Sequence, residues 1–281
     1  MNATTFRIGL VLVASAVATS ALGASAGEQY ASGQALLAKG DFDGALAALA
    51  AAARTDSKNE AYLQEYTMVR RIVQLRQAID SEADPQRWEY LARALHSFYV
   101  SRGLLEEAVV LDRKIHARLN NASSAVLLAE TELALNHNTE AAEVLQRLDG
   151  SQSTPATQTL LGIALARLGK TGEARRAAKS VSLSEDAGPR MTYAVARLYA
   201  ATGDSDAALQ TLGRLLESVP PTVQAGYRQH AQRCPDFQGL APAPFAQVLQ
   251  TKSKIPESEC SGGAGCSGCP MRGKCPSSQG H

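Results

Sequence analysis

The chain has 281 residues, of which 45% are hydrophobic and 5% aromatic, and it carries 28 basic against 27 acidic residues. A formal net charge of +1 argues against a nucleic-acid-binding protein, because contacts to phosphate backbones require a basic surface. The length exceeds what a single hydrophobic core usually organises, a limit that does not apply to a fold built from stacked repeats.

The first 26 residues have the features of a signal peptide. Arg7 precedes an apolar stretch, residues 8–23, that is too short and too rich in Ala for a membrane span, and Ala24-Ser25-Ala26 fits a signal-peptidase site. No Cys precedes position 234, so the lipid-acceptor Cys of a lipoprotein signal is absent. We therefore predict an exported protein, periplasmic or secreted from a bacterium, that begins at Gly27 and no longer contacts a membrane. An uncleaved anchor is the alternative.

A spacing between Gly and Ala recurs from residue 40 to residue 208. A Gly, or once an Asn, is followed five residues later by an Ala, and successive occurrences stand 63, 33, 33 and 34 residues apart. Gly and Asn can adopt the left-handed conformation that ends a helix, and a small Ala lets two helices approach closely. A repeated helical pair cannot bury its apolar face alone, so the pattern predicts an all-α solenoid of stacked hairpins. The five pairs are Gly40 with Ala45, Gly103 with Ala108, Asn136 with Ala141, Gly169 with Ala174, and Gly203 with Ala208.

The unit from residue 189 to residue 220 resembles the tetratricopeptide repeat (TPR) family. At the family's relative positions it has the small residue Ala196, the aromatic Tyr199, the turn Gly203, the small Ala208 and a closing Pro220. The unit from residue 155 matches through Gly162, Leu165, Gly169 and Ala174, and the first unit matches through Gly33, Leu36, Gly40, Ala45 and Ala52.

The resemblance covers residues 27–220 and has two departures. His96 stands where the family has a small residue, and Glu132 stands where it has an aromatic one. The resemblance implies five to six helical hairpins, a concave groove that binds a protein or peptide partner, and no chemistry of its own. It also implies that Arg93, Ser97, Glu130, Arg167, Tyr193 and Arg197 face this groove.

Three Arg on one inner surface suggest an acidic partner. Guanidinium groups hold carboxylates through paired hydrogen bonds, so Arg93, Arg167 and Arg197 could bind an acidic peptide. The alternative is that these side chains are solvated surface. No catalytic motif accompanies them, because the five His are scattered and no nucleophile elbow or phosphate-binding loop is present. We therefore predict a protein without enzymatic activity.

Two segments depart from the hairpin pattern. Residues 59–82 predict one long helix, a degenerate repeat with Tyr62, Tyr66, Val69, Val73 and Leu75 facing its neighbours. Asp84-Pro85 then begins a helix whose core residues are predicted as Trp88, Leu91, Leu95 and Phe98.

After residue 220 we predict capping helices over residues 221–251, with Cys234 as a buried free thiol. The residues predicted to cover the last apolar face are Phe237, Leu240, Phe245 and Leu249.

The tail, residues 252–281, contains four Cys at spacings x5, x2 and x5, namely Cys260, Cys266, Cys269 and Cys275. From residue 260 onward, 16 of 22 residues are Gly, Ser, Cys or Pro, so the tail is disordered unless bonds to sulfur hold it. Four thiolates could bind zinc, Cu(I) or an iron–sulfur cluster. Two disulfides are the alternative in an oxidising compartment, and thiol–disulfide exchange by Cys266 and Cys269 is a third.

These features together predict an exported adaptor. Its groove binds a partner protein, and its tail binds a metal or cluster or forms disulfides. The alternative functions act through the tail, as a metal carrier, an electron-transfer accessory protein or a thiol–disulfide exchange protein.

Overall fold

The structure is a computed structural model that describes residues 24–184 and 187–256. Within these two ranges it contains helices and no strand, which confirms the predicted all-α class. The α-helices are α1 (Ala26–Leu37), α2 (Phe42–Thr55), α3 (Glu60–Ser81), α4 (Pro85–Ser101), α5 (Leu105–Leu119), α6 (Ala122–Ala134), α7 (Asn138–Gln146), α8 (Pro155–Arg167), α9 (Thr171–Ser180), α10 (Pro189–Thr202), α11 (Ser205–Glu217), α12 (Pro221–Arg233) and α13 (Pro242–Leu249). Short 3₁₀ turns span Gly150–Gln152 (η1) and Pro235–Phe237 (η2).

The five predicted hairpin turns all have the left-handed backbone. The φ angle is +75° at Gly40, +72° at Gly103, +61° at Asn136, +73° at Gly169 and +85° at Gly203. In each case the next helix begins two residues later, and the Ala five residues on is fully buried. The predicted repeat is confirmed at these positions, because a local backbone requirement sets them.

Small residues in the first helix of two hairpins are explained by close helix packing. A Cβ atom built on Gly33 would lie 2.6 Å from Cγ of Leu49. One built on Gly162 would lie 2.5 Å from Cδ1 of Leu198, a residue with no exposed surface. A larger side chain would have to push these helices apart, since protein interiors have almost no spare volume.

The described chain divides into two compact units between Glu107 and Ala108. In the first unit, α2 packs against both α1 and α3. Phe42, at the start of α2, is only 1% exposed. Its ring lies 5.6 Å from the ring of Tyr99 and 6.3 Å from that of Phe98, and the Arg76 guanidinium is 4.4 Å from its centroid. Phe42 therefore joins residues from three helices in the core of this unit.

The long helix predicted over residues 59–82 is confirmed as α3, and its buried face matches the prediction in part. Val69, Ile72 and Ile79 are buried, whereas Val73 and Leu75 are only partly buried. Residues 69, 72 and 79 lie on one side of a helix with 3.6 residues per turn. The prediction is therefore confirmed for Val69 and for Tyr62, whose ring contacts an aromatic ring of α1, but it omitted two of the buried residues.

The second unit is a stack of hairpins. The pairs α6–α7, α8–α9 and α10–α11 follow one another, and α8 contacts α6, α7 and α10. One apolar cluster joins α6 through α10, and a second joins α10 and α11 to the segment that follows them. In that second cluster Phe237 and Leu240 are buried, with Phe245 and Leu249 packed against it, and Cys234 is a buried thiol as predicted. The last hairpin is thus covered by the chain's own C-terminal segment.

The start of α1 overlaps the predicted cleavage site. The Ser25 hydroxyl accepts a hydrogen bond from the backbone N–H of Glu28 at 3.3 Å, and the Glu28 carboxylate accepts one from the Ser25 N–H at 2.7 Å. This capping box stabilises the first turn of the helix. Cleavage after Ala26 stays a prediction, and it would remove the capping Ser. In residues 24–184 and 187–256, no helix has the length and apolar character needed to cross a bilayer.

Candidate functional site

The first helices of the three hairpins in the second unit present one common surface, which we call the inner face. On α10, Arg190, Ala194 and Arg197 are four and three residues apart, so they lie on one side of the helix. Leu160 and Arg167 are two turns apart on α8. The inner face comprises Val126, Glu130, Ala156, Leu160, Arg167, Arg190, Tyr193, Ala194 and Arg197.

Four of the six predicted groove residues lie on this inner face. Glu130, Arg167, Tyr193 and Arg197 come together there, whereas Arg93 and Ser97 belong to the first unit. The Nε of Arg93 donates to the carboxylate of Glu89 on the same helix at 2.7 Å. The predicted role of these residues in partner binding stays a prediction.

Arg167 and Arg197 both bind the carboxylate of Asp236, a residue of η2. Arg167 donates from Nε to Oδ1 at 2.7 Å and from Nη2 to Oδ2 at 3.1 Å, and Arg197 donates from Nε to Oδ2 at 2.8 Å. A third nitrogen of Arg167, Nη1, donates to the carbonyl of Leu133 at 2.7 Å. The side chains of Arg167 and Arg197 are 11% and 14% exposed and that of Asp236 is fully buried. The charged groups therefore form a buried cluster that joins α8, α10 and η2.

The ionisation of this cluster follows from its contacts. Burial alone would raise the pKa of Asp236, but the charge of Arg197 and the hydrogen bonds from Arg167 outweigh it and hold the pKa below its ordinary value. Burial raises the pKa of the neighbouring Cys234 thiol, which donates to Asp236 at 3.4 Å. Asp236 is thus a carboxylate at neutral pH and Cys234 is a protonated, unreactive thiol.

Tyr193 connects the same cluster to α12. Its hydroxyl lies 2.6 Å from Nδ1 of His230, and the two rings meet edge to face with centroids 5.4 Å apart. The Tyr193 ring also contacts those of Tyr227 and Phe237 at 5.0 and 5.9 Å. Burial lowers the pKa of His230, and the nearby charge of Arg197 lowers it further. The neutral imidazole is therefore the form that the folded protein favours.

We expect the free energy of unfolding to decrease as the pH falls below about 6.5. The unfolded chain has a His of ordinary pKa near 6.5 and binds the proton more readily than folded His230, so acid favours unfolding until the pH falls below the lowered pKa of the folded state. Urea denaturation at several pH values between 8 and 5 measures the slope of the free energy of unfolding against pH. In His230→Gln the slope should be smaller, with a remainder from His116, whose pKa burial also lowers. Equal slopes in both proteins would contradict the assignment to His230.

The other half of the inner face is open and forms a pocket of about 360 Å³. This volume lies at the lower end of the roughly 300–1,000 Å³ of small-ligand pockets. At its rim Arg190 donates to the Glu130 carboxylate, with Nε to Oε1 at 3.2 Å, and Arg190 is 74% exposed. The pocket is lined by Val126, Glu130, Ala156, Leu160, Gly188, Pro189, Arg190, Met191 and Ala194. It can accept apolar side chains while Arg190 and Glu130 provide polar contacts at its edge.

A larger open hollow of about 530 Å³ lies between α9 and the end of α10. It is lined by residues of the second helix of one hairpin, including Arg175 and Lys179, and by the turn at Gly203. The Nε of Arg175 donates to the carbonyl of Thr202 there at 3.3 Å. None of the predicted site residues lines this hollow.

Glu132, the residue that departs from the TPR pattern, is buried and paired. It accepts hydrogen bonds from Nη2 of Arg113 at 2.7 Å and from Nδ1 of His137 at 2.8 Å. Beside it, the Thr131 hydroxyl donates to the buried carboxylate of Asp112 at 2.6 Å. Polar pairing thus replaces the aromatic contact that the family resemblance predicts at this position.

The four tail Cys, Cys260, Cys266, Cys269 and Cys275, lie outside the described residues, so their predicted metal-binding or disulfide roles stay predictions. In the part of the chain that the structure describes, no group of three or more His, Cys, Asp or Glu could hold a metal ion. The first residues of the predicted tail are attached to the second unit. The Ser253 hydroxyl donates to the Val219 carbonyl at 2.6 Å, and the Lys254 N–H donates to the Glu217 carbonyl at 2.9 Å.

No protein-family model and no curated protein matches the chain. Solved TPR structures are similar to it. A thermophilic TPR protein of Thermus thermophilus is 18% identical, covering 80% of this chain and 99% of that one, with a TM-score of 0.40. A TPR protein from Parabacteroides merdae is 15% identical, covering 82% and 99%, with a TM-score of 0.42. YrrB, a TPR protein with an unusual peptide-binding site, is 17% identical, covering 74% and 92%, with a TM-score of 0.33. The repeat architecture itself is established by the helical hairpins described above.

Proposed function

We propose that the protein is a non-enzymatic scaffold for protein–protein interaction, and that the inner face of its second unit binds a peptide segment of a partner. The observation that carries this proposal is the open pocket on the surface formed by α6, α8 and α10. Stacked hairpins present such surfaces for binding extended partners.

The pocket favours an aliphatic or Met side chain as the anchor of the bound peptide. Val126, Leu160, Met191 and Ala194 supply apolar walls, and a buried apolar anchor surrounded by polar contacts is the usual centre of a binding interface. Arg190 pairs with Glu130 at the rim but is largely exposed, so a carboxylate of the partner can reach its guanidinium group from solvent. Arg167 and Arg197 already bind Asp236, so they are not available in this state.

Filling the pocket should abolish peptide binding. A displayed peptide library is selected on the wild-type chain, and the affinities of the selected peptides are measured for Ala194→Phe, which places an aromatic ring in the pocket. We expect at least a tenfold loss, the consequence of removing one anchor contact. Ala117→Phe is the matched control, because Ala117 is an exposed residue of α5. Undiminished binding to Ala194→Phe, in a variant whose thermal midpoint is unchanged, would refute the pocket as the binding site.

The sequence supports a second candidate function, located in the tail of an exported protein. The segment has four Cys and almost no apolar side chains, so any order in it would come from bonds to sulfur. These bonds are either to a bound zinc ion, Cu(I) ion or iron–sulfur cluster, or they are two disulfides. A metal carrier, an electron-transfer accessory protein and a thiol–disulfide exchange protein are the functions that such a tail would serve.

Unreduced protein from the exported fraction should separate these possibilities. Intact mass is expected to show a chain that begins at Gly27, and a chain that begins at Met1 would contradict cleavage.

The state of the tail Cys is tested on the same protein. Five titratable thiols in denatured protein, together with released metal, would identify a metal site. A single free thiol, from Cys234, without metal would identify two disulfides and exclude the metal site. Visible absorbance distinguishes an iron–sulfur cluster from zinc.

A further inference from the structure

We infer that the segment Cys234–Leu240 is an internal ligand of the inner face, where Arg167 and Arg197 form a carboxylate-binding site that the chain fills with its own Asp236. The inference deepens the proposed function and rests on it in one respect only. If the inner face binds partners, then Asp236 closes half of it to acidic segments of a partner. The site itself can be tested without any partner.

The carboxylate site continues the surface that contains the open pocket. Ala194 borders the pocket and Arg197, three residues later on the same helix, contacts Asp236. On α8, Leu160 lines the pocket and Arg167, two turns later, contacts Asp236. A peptide that extends from the pocket along these two helices would therefore reach the two guanidinium groups next.

The site has the chemistry of a carboxylate receptor. Three N–H groups from two helices converge on the two oxygens of one carboxylate at 2.7, 2.8 and 3.1 Å. The bond from Arg167 to the Leu133 carbonyl fixes the orientation of that guanidinium group independently of Asp236. Planar donors in fixed positions favour a carboxylate over a spherical anion such as chloride.

The residues that flank Asp236 pack against the protein as the residues of a bound peptide would. Phe237 stacks on Phe245 with ring centroids 5.7 Å apart and contacts the ring of Tyr193. Leu240 is buried in the same apolar cluster. The segment thus combines one charged group with apolar neighbours, and it covers this end of the inner face.

Formate is the probe that tests the site. Asp236→Ala removes the carboxylate and keeps Cβ, so it leaves a space that matches one formate ion beside two arginines. Sodium formate should raise the thermal midpoint of this variant by about 3–6 °C at roughly ten times its Kd, relative to sodium chloride at equal ionic strength. Acetate should act more weakly, because its methyl group meets the retained Cβ. The wild-type chain should show no formate-specific shift, because Asp236 already occupies the site.

Asp236→Asn is the matched control, since its amide fills the space and should prevent any response to formate. If Asp236→Ala is unfolded without additive, formate should restore its helical circular dichroism signal. The same titration then tests the carboxylate site. An Asp236→Ala chain that responds equally to formate and chloride would overturn the carboxylate site. A formate-specific rise in the thermal midpoint of the wild-type chain would show that Asp236 does not occupy the site. Neither result depends on whether peptides bind the pocket.

Discussion

Replacing Asp236 with Ala is expected to lower the free energy of unfolding by about 3–5 kcal/mol. The substitution leaves two buried guanidinium groups without their shared anion, and removing one member of a buried charge cluster typically has a cost of this size. Urea denaturation followed by circular dichroism measures the change. Because η2 contacts α10 and Arg167 comes from α8, the effect should be concentrated in the second unit.

Replacing both arginines with Met serves as the companion experiment. Met retains much of the apolar stem and removes the positive charge, so Arg167→Met with Arg197→Met leaves Asp236 buried and unpaired. Adding Asp236→Asn to this double variant should recover part of the lost stability, because the uncompensated charge is then gone. A loss for Asp236→Ala below about 1 kcal/mol, the level of an exposed ion pair, would show that solvent reaches the cluster.

Replacing Phe42 with Ala should destabilise the first unit by about 3–5 kcal/mol. Phe42 is 1% exposed and contacts Phe98, Tyr99 and the Arg76 guanidinium, so the truncation removes a large buried ring and leaves a cavity. The chain has a single Trp, Trp88, which is buried in the same unit. Its fluorescence therefore reports the unfolding of the first unit specifically.

The control for this variant is Phe42→Leu, which retains an apolar side chain and should cost less. Each repeat of a stacked fold contacts only its neighbours, so Phe42→Ala should shift the Trp88 transition more than the circular dichroism transition, and Asp236→Ala should do the reverse. Identical shifts in both signals for both variants would show that the two units unfold as one.

The features that the sequence predicted correctly are local. A left-handed residue before a helix and a small residue five positions later are requirements of one turn and one helix contact, so they can be recognised without knowing the rest of the fold. On α3 the sequence identified Val69 but not Ile72 and Ile79, because apolar residues at 69, 72, 73 and 75 fit two neighbouring faces of a helix.

The contacts that the sequence did not reveal are long-range. Asp236 follows Arg167 by 69 residues, and nothing in the run from Cys234 to Phe237 indicates which cations it meets. The weak signal was an Asp placed between Pro and Phe in a segment expected to cover an apolar face, since a buried acid requires a partner. The replacement of an aromatic residue by Glu132 could likewise suggest a polar pair, but not its members, Arg113 and His137.

The hydrogen bonds from Ser253 and Lys254 to the residues that end α11 fix the point from which the tail continues. An extended chain advances at most about 3.6 Å per residue, so Cys260, four residues beyond Pro256, stays within about 14 Å of that point. Cys275 is 19 residues beyond it and stays within about 70 Å. A metal ion or reactive thiol held by these Cys would therefore have a high effective concentration for a partner bound to the second unit.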